Sequence, residues 1–313
     1  RTSGREQHFL AVASGYRPGS EGRTRAALYL LALDKPGAEP WRRGRNYFRL
    51  PLTAPPAVDA GRRYASGLSA VAVVPATDGS ARYAYGGDLQ GRLWRFDLRS
   101  GPPWADAVPV LLFSATSADG APQPIAQEVG VVHDEPGYRI LFGTGRMLEP
   151  SDLVAPYTEQ TLYGIRDTLQ KSAAAQRDDL AEAGGPSQRG WRRDLQGGSA
   201  VGSPALAAGV VVFGSVQLDT CPAIHLTFFK LDPLTGLPLN LKGKPDFTLS
   251  YTGPVIAAPL AVAPSSKSVA TSIVAITARG LVPLPAPPAA ASGKPGRSGW
   301  REIVNWQQLS RKP

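Results

Sequence analysis

The chain has 313 residues, 42% of them hydrophobic, enough for one large cored domain or two ordinary ones, which excludes a wholly disordered polymer. Its 34 Gly and 30 Pro residues exceed the usual share of a globular protein and argue for many short strands joined by turns rather than for long helices. The formal net charge of +9 invites an acidic partner, yet the arginines that dominate it are thinly spread, as in WRRGRNYFR (41–49), GRRY (61–64) and GWRRDL (190–195). Such scatter reads as a solvated face with a minority left for an acidic partner or a membrane surface, and no nucleic-acid partner is expected.

The opening RTSGREQHFL lacks the apolar segment of a signal peptide and runs into a strand, so the chain is expected to be a piece of something larger. FLAVASG (9–15) begins a unit that recurs. A short apolar strand runs into a turn of small residues, again in RYAYGGD (82–88), RILFGTG (139–145) and VVVFGSV (210–216). After a variable loop each is followed by a second strand that ends at or beside Asp: LYLLALD (28–34), LWRFDL (93–98), LYGIRD (162–167) and FFKLDP (228–233). Gly lets the backbone reverse without steric penalty, and a terminal Asp can accept hydrogen bonds from turn amides. In RLWRFDL the alternation places Leu93, Arg95 and Asp97 on one face and Trp94, Phe96 and Leu98 on the other, a half-buried strand.

A further strand precedes three of these pairs, in SGLSAVAVVP (66–75), AQEVGVVHD (126–134) and VGSPALAAG (201–209). A weaker fifth copy runs from TGPVIAAPLAVAP (252–264) into SIVAITARGLVPL (272–284). Units of three or four strands with Gly and aromatic signatures read as propeller blades. The expected fold class is therefore all-β, a quinoprotein-like β-propeller occupying residues 1–313 and incomplete in this chain. Residues 168–188 contain good helix formers before a GGP stop, which predicts a short helix inserted in a loop. Residues 284–299 form a Pro/Ala/Gly-rich loop, and WREIVNWQQL (300–309) is a candidate last strand.

The usual catalytic motifs are missing. There is no G-x-S-x-G and no H-E-x-x-H, and both Gly-Lys pairs precede Pro instead of the Ser or Thr of a phosphate loop. HDEP (133–136) puts His133 beside two carboxylates, but between two strands it reads as a polar β-turn. Cys221, the single cysteine, excludes an intrachain disulfide and a CxxC zinc site, and reads as a loop or packing residue. No apolar run reaches the roughly 18 residues of a membrane span.

The order of these motifs resembles the C-terminal β-propeller of the PilC/PilY family. Its most recognisable segment, Y-x-G-D-x-x-G-x-L-W-R-F-D-L, stands here as YGGDLQGRLWRFDL (85–98), with Tyr85, Gly87, Asp88, Gly91, Leu93, Trp94, Arg95, Phe96 and Asp97 in the matching positions. A strand with Gly143, Thr144 and Gly145 follows in LFGTGRMLEPSD (141–152), then Tyr163 and Gly164 in QTLYGIRD (160–167). The likeness continues through GWRRDL, VVFGSVQLDTC (211–221), KLDPLTG (230–236) and GRSGWRE (296–302). It implies an exported protein of the bacterial cell surface, at the pilus tip and the outer membrane or periplasm. Such a protein acts without catalysis in type IV pilus assembly, in opposing retraction and in adhesion. The implied partners are minor pilins, the pilus assembly machinery and a host-cell or surface receptor.

The same resemblance implies an EF-hand-like calcium loop before the signature strand. Here the corresponding residues are VPATDGSAR (74–82), in which Val74 and Ala76 stand at ligand positions, Arg82 replaces the closing acidic residue, and only Asp78 keeps a carboxylate. One like charge at about 4 Å costs about 4 kcal/mol even at an effective dielectric near 20. The site is expected to be lost, the alternative being that Arg82 takes the place of the ion by pairing with Asp78 or Asp88, and no metal or other cofactor is expected. The alternative reading is a quinoprotein-like enzyme that binds pyrroloquinoline quinone with calcium, where Trp94 would stack on the quinone although no ligand set for the calcium is evident.

Overall fold

The structure, a computed structural model, describes residues 6–16, 26–53, 58–59, 62–63, 67–104, 107–148, 152, 158–207, 209–218, 223–239, 246–252, 258–262, 272–277 and 280–283. Cys221, the loop 284–299 and the segment 300–309 lie outside them.

Nearly every ordered segment is a strand, and strands pair in chain order. β1 (Phe9–Ala13), β2 (Ala27–Ala32) and β3 (Tyr47–Pro51) form the first antiparallel sheet, and β4 (Val58–Asp59) and β5 (Arg62–Arg63) form a small ladder after it. The second sheet is β6 (Ala72–Pro75), β7 (Ala81–Gly87), β8 (Arg92–Asp97) and β9 (Val110–Ser114). The third holds β10 (Gly130–Asp134), β11 (Gly137–Gly143), β12 (Gln160–Asp167), β13 (Ala181–Glu182) and β14 (Gly190–Leu195), with β13 parallel to β14 at the edge. β15 (Ser199–Ala207), β16 (Val210–Leu218), β17 (Ala223–Leu231) and β18 (Asp246–Thr252) make the fourth sheet. The last is β19 (Ala258–Val262), β20 (Ser272–Thr277) and β21 (Gly280–Pro283). The four strand pairs read from the sequence are β1–β2, β7–β8, β11–β12 and β16–β17, and the weaker fifth copy falls on β19 to β21.

The first strands of successive sheets approach one another, β6 with β10, β10 with β15 and β15 with β19, as the innermost strands of neighbouring blades do. Among the described residues these sheets form an open succession and not a closed ring. Each interface between sheets carries its own apolar core. Leu28, Leu30, Phe48 and Leu50 of the first sheet meet Trp94 and Phe96 of the second; Tyr85, Leu93 and Phe113 of the second meet Ile140, Phe142 and Tyr163 of the third; Leu141, Leu162 and Trp191 of the third meet Val211 and Phe213 of the fourth.

Two expectations need correction. β8 is not half-buried: Leu93, Trp94, Arg95 and Phe96 are all buried, because its two faces feed two different cores. Its alternation is as read, but the face bearing Leu93 and Arg95 lies against the third sheet instead of water. Residues 168–188 do not form a helix; they hold a single 3-10 turn, Arg177–Asp179. Ala175, the last residue of the Ala run, is taken by the edge of the second sheet, where its amide donates to Leu112 O at 2.8 Å and its carbonyl accepts from Ser114 N at 3.1 Å. Those backbone bonds outweigh a helix propensity worth only tenths of a kcal/mol per residue.

Close approach of the backbone to the Trp191 ring leaves no room for a side chain at Gly164 or Gly236. A Cβ on Gly164 of β12 would fall inside the Trp191 indole, whereas one on Gly37 would meet nothing. Gly164→Ala is therefore expected to cost about 1–3 kcal/mol, read as a lower urea midpoint, while Gly37→Ala stays within about 0.5 kcal/mol.

Candidate functional site

The signature residues are spread over three joins: Trp94 and Phe96 lie between the first and second sheets, Tyr85, Leu93 and Tyr163 between the second and third, and Gly143 and Gly164 against Ala200 and Trp191 of the core shared by the third and fourth. The β7–β8 turn is organised by Asp88, 4% exposed, whose Oδ1 accepts from the amides of Gln90 at 2.9 Å and Arg92 at 3.0 Å and whose Oδ2 accepts from Trp94 Nε1 at 2.9 Å. Burial pushes the Asp88 carboxyl up, opposed by the Arg92 amide, the Trp94 indole and the Gln90 amide. Gly91 supplies the reversal at φ +81°, and its carbonyl accepts from Ala115 N at 2.7 Å. Gly87 ends β7 directly under the Ile125 side chain. Trp94 is thereby fixed at both ends, its ring in the first core and its N–H on Asp88.

Arg95 reaches the other way. Its Nη1 lies 2.6 and 2.8 Å from the two oxygens of Asp167, at the end of β12 in the next sheet. Tyr85 donates its phenol to Asp167 Oδ2 at 2.9 Å, and Leu169 N donates to Oδ1 at 2.9 Å. Burial first, then the charge of Asp167, holds the Tyr85 phenol far above its ordinary value, so it stays a donor. Asp97 plays the smaller version of this role: it accepts from Arg99 N at 3.1 Å and Arg99 Nη2 at 2.6 Å, and Arg99 holds its carboxyl below the usual range. Asp232 repeats the capping in the fourth sheet, accepting from Leu234 N and Thr235 N at 2.9 Å, so the strand-end Asp caps its turn in three sheets.

Thr144, fully buried, exchanges hydrogen bonds with the backbone of Thr161: Oγ1 accepts from Thr161 N at 2.8 Å and donates to Thr161 O at 3.2 Å. Its neighbours tie it to both adjacent blades, since Gly145 N donates to Pro124 O at 2.8 Å and Thr144 O accepts from Ala200 N at 3.0 Å; Gly143, before it, packs on Ala200. Tyr163 donates to Gln123 Oε1 at 2.7 Å and stacks on Phe142 with centroids 5.3 Å apart.

A second buried polar cluster escaped the sequence reading. Arg177 Nη2 lies 2.7 Å from Asp194 Oδ2, and Nη1 donates to Thr116 O at 3.2 Å and Thr161 Oγ1 at 3.3 Å. Burial works against the Arg177 charge, and Asp194 and Tyr163 outweigh it, holding the guanidinium above its ordinary value. These partners stand up to 61 residues apart in the chain, so no local pattern announces them.

The loop where the resemblance implies calcium is a tight β6–β7 turn. Asp78 Oδ1 accepts from Ser80 N at 3.0 Å and Ser80 Oγ at 2.6 Å, and Val74 sits in the core at 1% exposure. The guanidinium of Arg82 lies 5.6 Å from the Tyr83 ring centroid, and the Asp88 carboxylate is satisfied by Gln90, Arg92 and Trp94, so the alternative pairing of Arg82 with Asp88 is not formed. A core valine and a cation at ligand positions do not fit a calcium loop. Among the described residues, no three His, Cys, Asp or Glu side chains gather as a metal site. HDEP is a turn between β10 and β11, its Asp134 paired with Arg139 at 2.8 Å.

What this arrangement does is join blades. Asp167→Asn leaves the Arg95 charge buried without its counter-ion and is expected to cost about 3–5 kcal/mol in urea unfolding, while Arg95→Met with Asp167→Leu recovers most of that loss.

Residues 10–194 match the family model described as the PilY1 beta-propeller domain. The type IV pilus biogenesis factor PilY1 of Pseudomonas aeruginosa strain PAO1 is 37% identical over 151 residues, covering 41% of this chain and 13% of that protein. The PilY1 homolog of Xylella fastidiosa strain Temecula1 is 30% identical over 187 residues, covering 48% of this chain and 13% of the homolog. The matched part of the chain thus spans only a small share of these relatives' length. The crystal structure of the Pseudomonas aeruginosa PilY1 C-terminal domain superposes with a TM-score of 0.63 over 89% of this chain and 69% of that one, at 21% identity, a likeness of fold. Because the family match covers more than half of its length, the chain belongs to the PilY1 β-propeller family.

Proposed function

We propose that this chain is the propeller part of a type IV pilus biogenesis factor, acting without catalysis in pilus assembly, in opposing retraction and in surface attachment. The family match over residues 10–194 carries the reading. Its partners are then minor pilins, the assembly machinery and a receptor on a host cell or other surface, and its place is the pilus tip and the outer membrane or periplasm. Among the described residues no helix is long and apolar enough to cross a membrane. A non-catalytic role is supported by the signature carboxylates, since Asp88 and Asp167 spend their oxygens on donors of the protein itself. The quinoprotein alternative loses its support at Trp94, whose ring lies at 1% exposure between two sheets and offers no face to a quinone.

Deleting the gene in its own bacterium is expected to abolish surface pili and twitching, both restored by the intact gene and not by one lacking the propeller; unchanged piliation in the deletion strain defeats the proposal. We further propose that the family's calcium site is lost from the β6–β7 turn. Titration calorimetry with calcium chloride is expected to show no binding tighter than about 10⁻⁴ M, and stoichiometric micromolar binding overturns this.

A further inference from the structure

The arginine clusters differ in what surrounds them. In GWRRDL, Arg192 pairs with Asp194 at 3.0 Å and Arg193 lies 4.8 Å from the Phe229 ring centroid, both half-buried. The side chains of Arg62 and Arg63 lie outside the described residues. In WRRGR (41–45), by contrast, Arg42, Arg43 and Arg45 are exposed beside Trp41, itself 52% exposed. A large indole left in water among cations marks an interaction surface more readily than a scattered apolar residue does.

The β2–β3 loop that presents these residues is held by its own bonds. Asn46, 5% exposed, accepts from Arg42 N at 2.7 Å and donates from Nδ2 to Pro40 O at 3.1 Å. Lys35 donates to the carbonyls of Pro36 and Glu39 and stands 4.9 Å from the Trp41 ring centroid. Glu39 neutralises Arg45 at 2.8 Å. Trp41, Arg42 and Arg43 are exposed, and Leu33, Pro36 and Pro40 are exposed in the same loop.

We propose that this loop docks the protein on an anionic phospholipid surface, with Trp41 at headgroup level and Arg42 and Arg43 against lipid phosphates. An indole suits the water–lipid boundary because its body is apolar and its N–H is polar, and each cation held near an anionic leaflet adds to binding. Nucleic acid fits less well, since a strand needs successive aromatic platforms along a basic groove, and Trp41 is the one aromatic between Leu33 and Asn46. Leu33, Pro36 and Pro40 suit the acyl boundary and offer nothing to a phosphodiester chain.

Cosedimentation with phosphatidylglycerol–phosphatidylcholine vesicles, against phosphatidylcholine alone, tests the proposal. Binding to the anionic vesicles only is expected, weakened by salt, by Trp41→Ala, and about fivefold by each of Arg42→Gln and Arg43→Gln. Arg189→Gln, an equal loss of charge at an exposed position before β14, leaves binding unchanged. Brominated lipid quenches indole emission in the parent protein and not in Trp41→Ala. The proposal fails if vesicles do not discriminate by charge, if Arg189→Gln weakens binding equally, or if quenching survives Trp41→Ala. It fails too if the chain ignores vesicles and binds a single-stranded oligonucleotide through the same residues.

Discussion

The contact of Arg95 with Asp167 sets the terms on which the second and third sheets can pack. A guanidinium and a carboxylate withdrawn from water cost several kcal/mol each in lost hydration, so neither residue is tolerable in the interface without the other. Their pairing, completed by the Tyr85 phenol and the Leu169 amide, admits one alignment of the two sheets and penalises any slip. The rings of Phe113, Phe142 and Tyr163 supply the apolar adhesion around it, with centroids 5.0 to 6.3 Å apart, but adhesion of that kind is non-directional and fixes no register.

That constraint explains the make-up of the strands. A blade inside the succession has no solvent face, so β8 must serve two neighbours at once: Trp94 and Phe96 behind, Leu93 and Arg95 ahead. Its turn cannot use water to satisfy its amides either, and Asp88 does that work from within. The same economy appears in the third sheet, where Thr144 takes both backbone groups of Thr161 and Trp191 packs closely on the bare backbone of Gly164. The signature segment thus holds joints within and between blades, Asp88 at its own turn and Arg95 across to the third sheet.

Strand pairs were legible because each is a local object: an apolar run, a small-residue turn, a second run closed by Asp. Asp97, Asp167 and Asp232 cap their turns as that pattern implies. What could not be read was anything that depends on the next blade. Arg95 has the period of a solvent-facing residue, and only the arrival of Asp167, 72 positions on, makes it an interior one. Residues 168–188 failed for the same reason in reverse: the Ala run carries a helical preference, but the edge of β9 offers Ala175 two backbone bonds, and Arg177 finds Asp194 beyond it. The proposed loss of the calcium loop rests on residue type, a valine and an arginine at ligand positions, and on the burial of that valine in the core.

The detour of residues 168–188 alters how the protein bears load. Successive blades of a propeller are joined in series by single connecting strands, and a chain pulled from its ends peels one blade after another, each hydrogen bond breaking alone. Here the polypeptide leaves β12, bonds to β9 of the preceding blade through Ala175, and returns to the edge of its own sheet as β13 beside β14. Tension that would draw the second and third blades apart must therefore break the two Ala175 bonds to β9 and the bond from Arg177 Nη1 to Thr116 O, in parallel with the interface itself. The second and third blades are thus tied by backbone hydrogen bonds as well as by their shared apolar core.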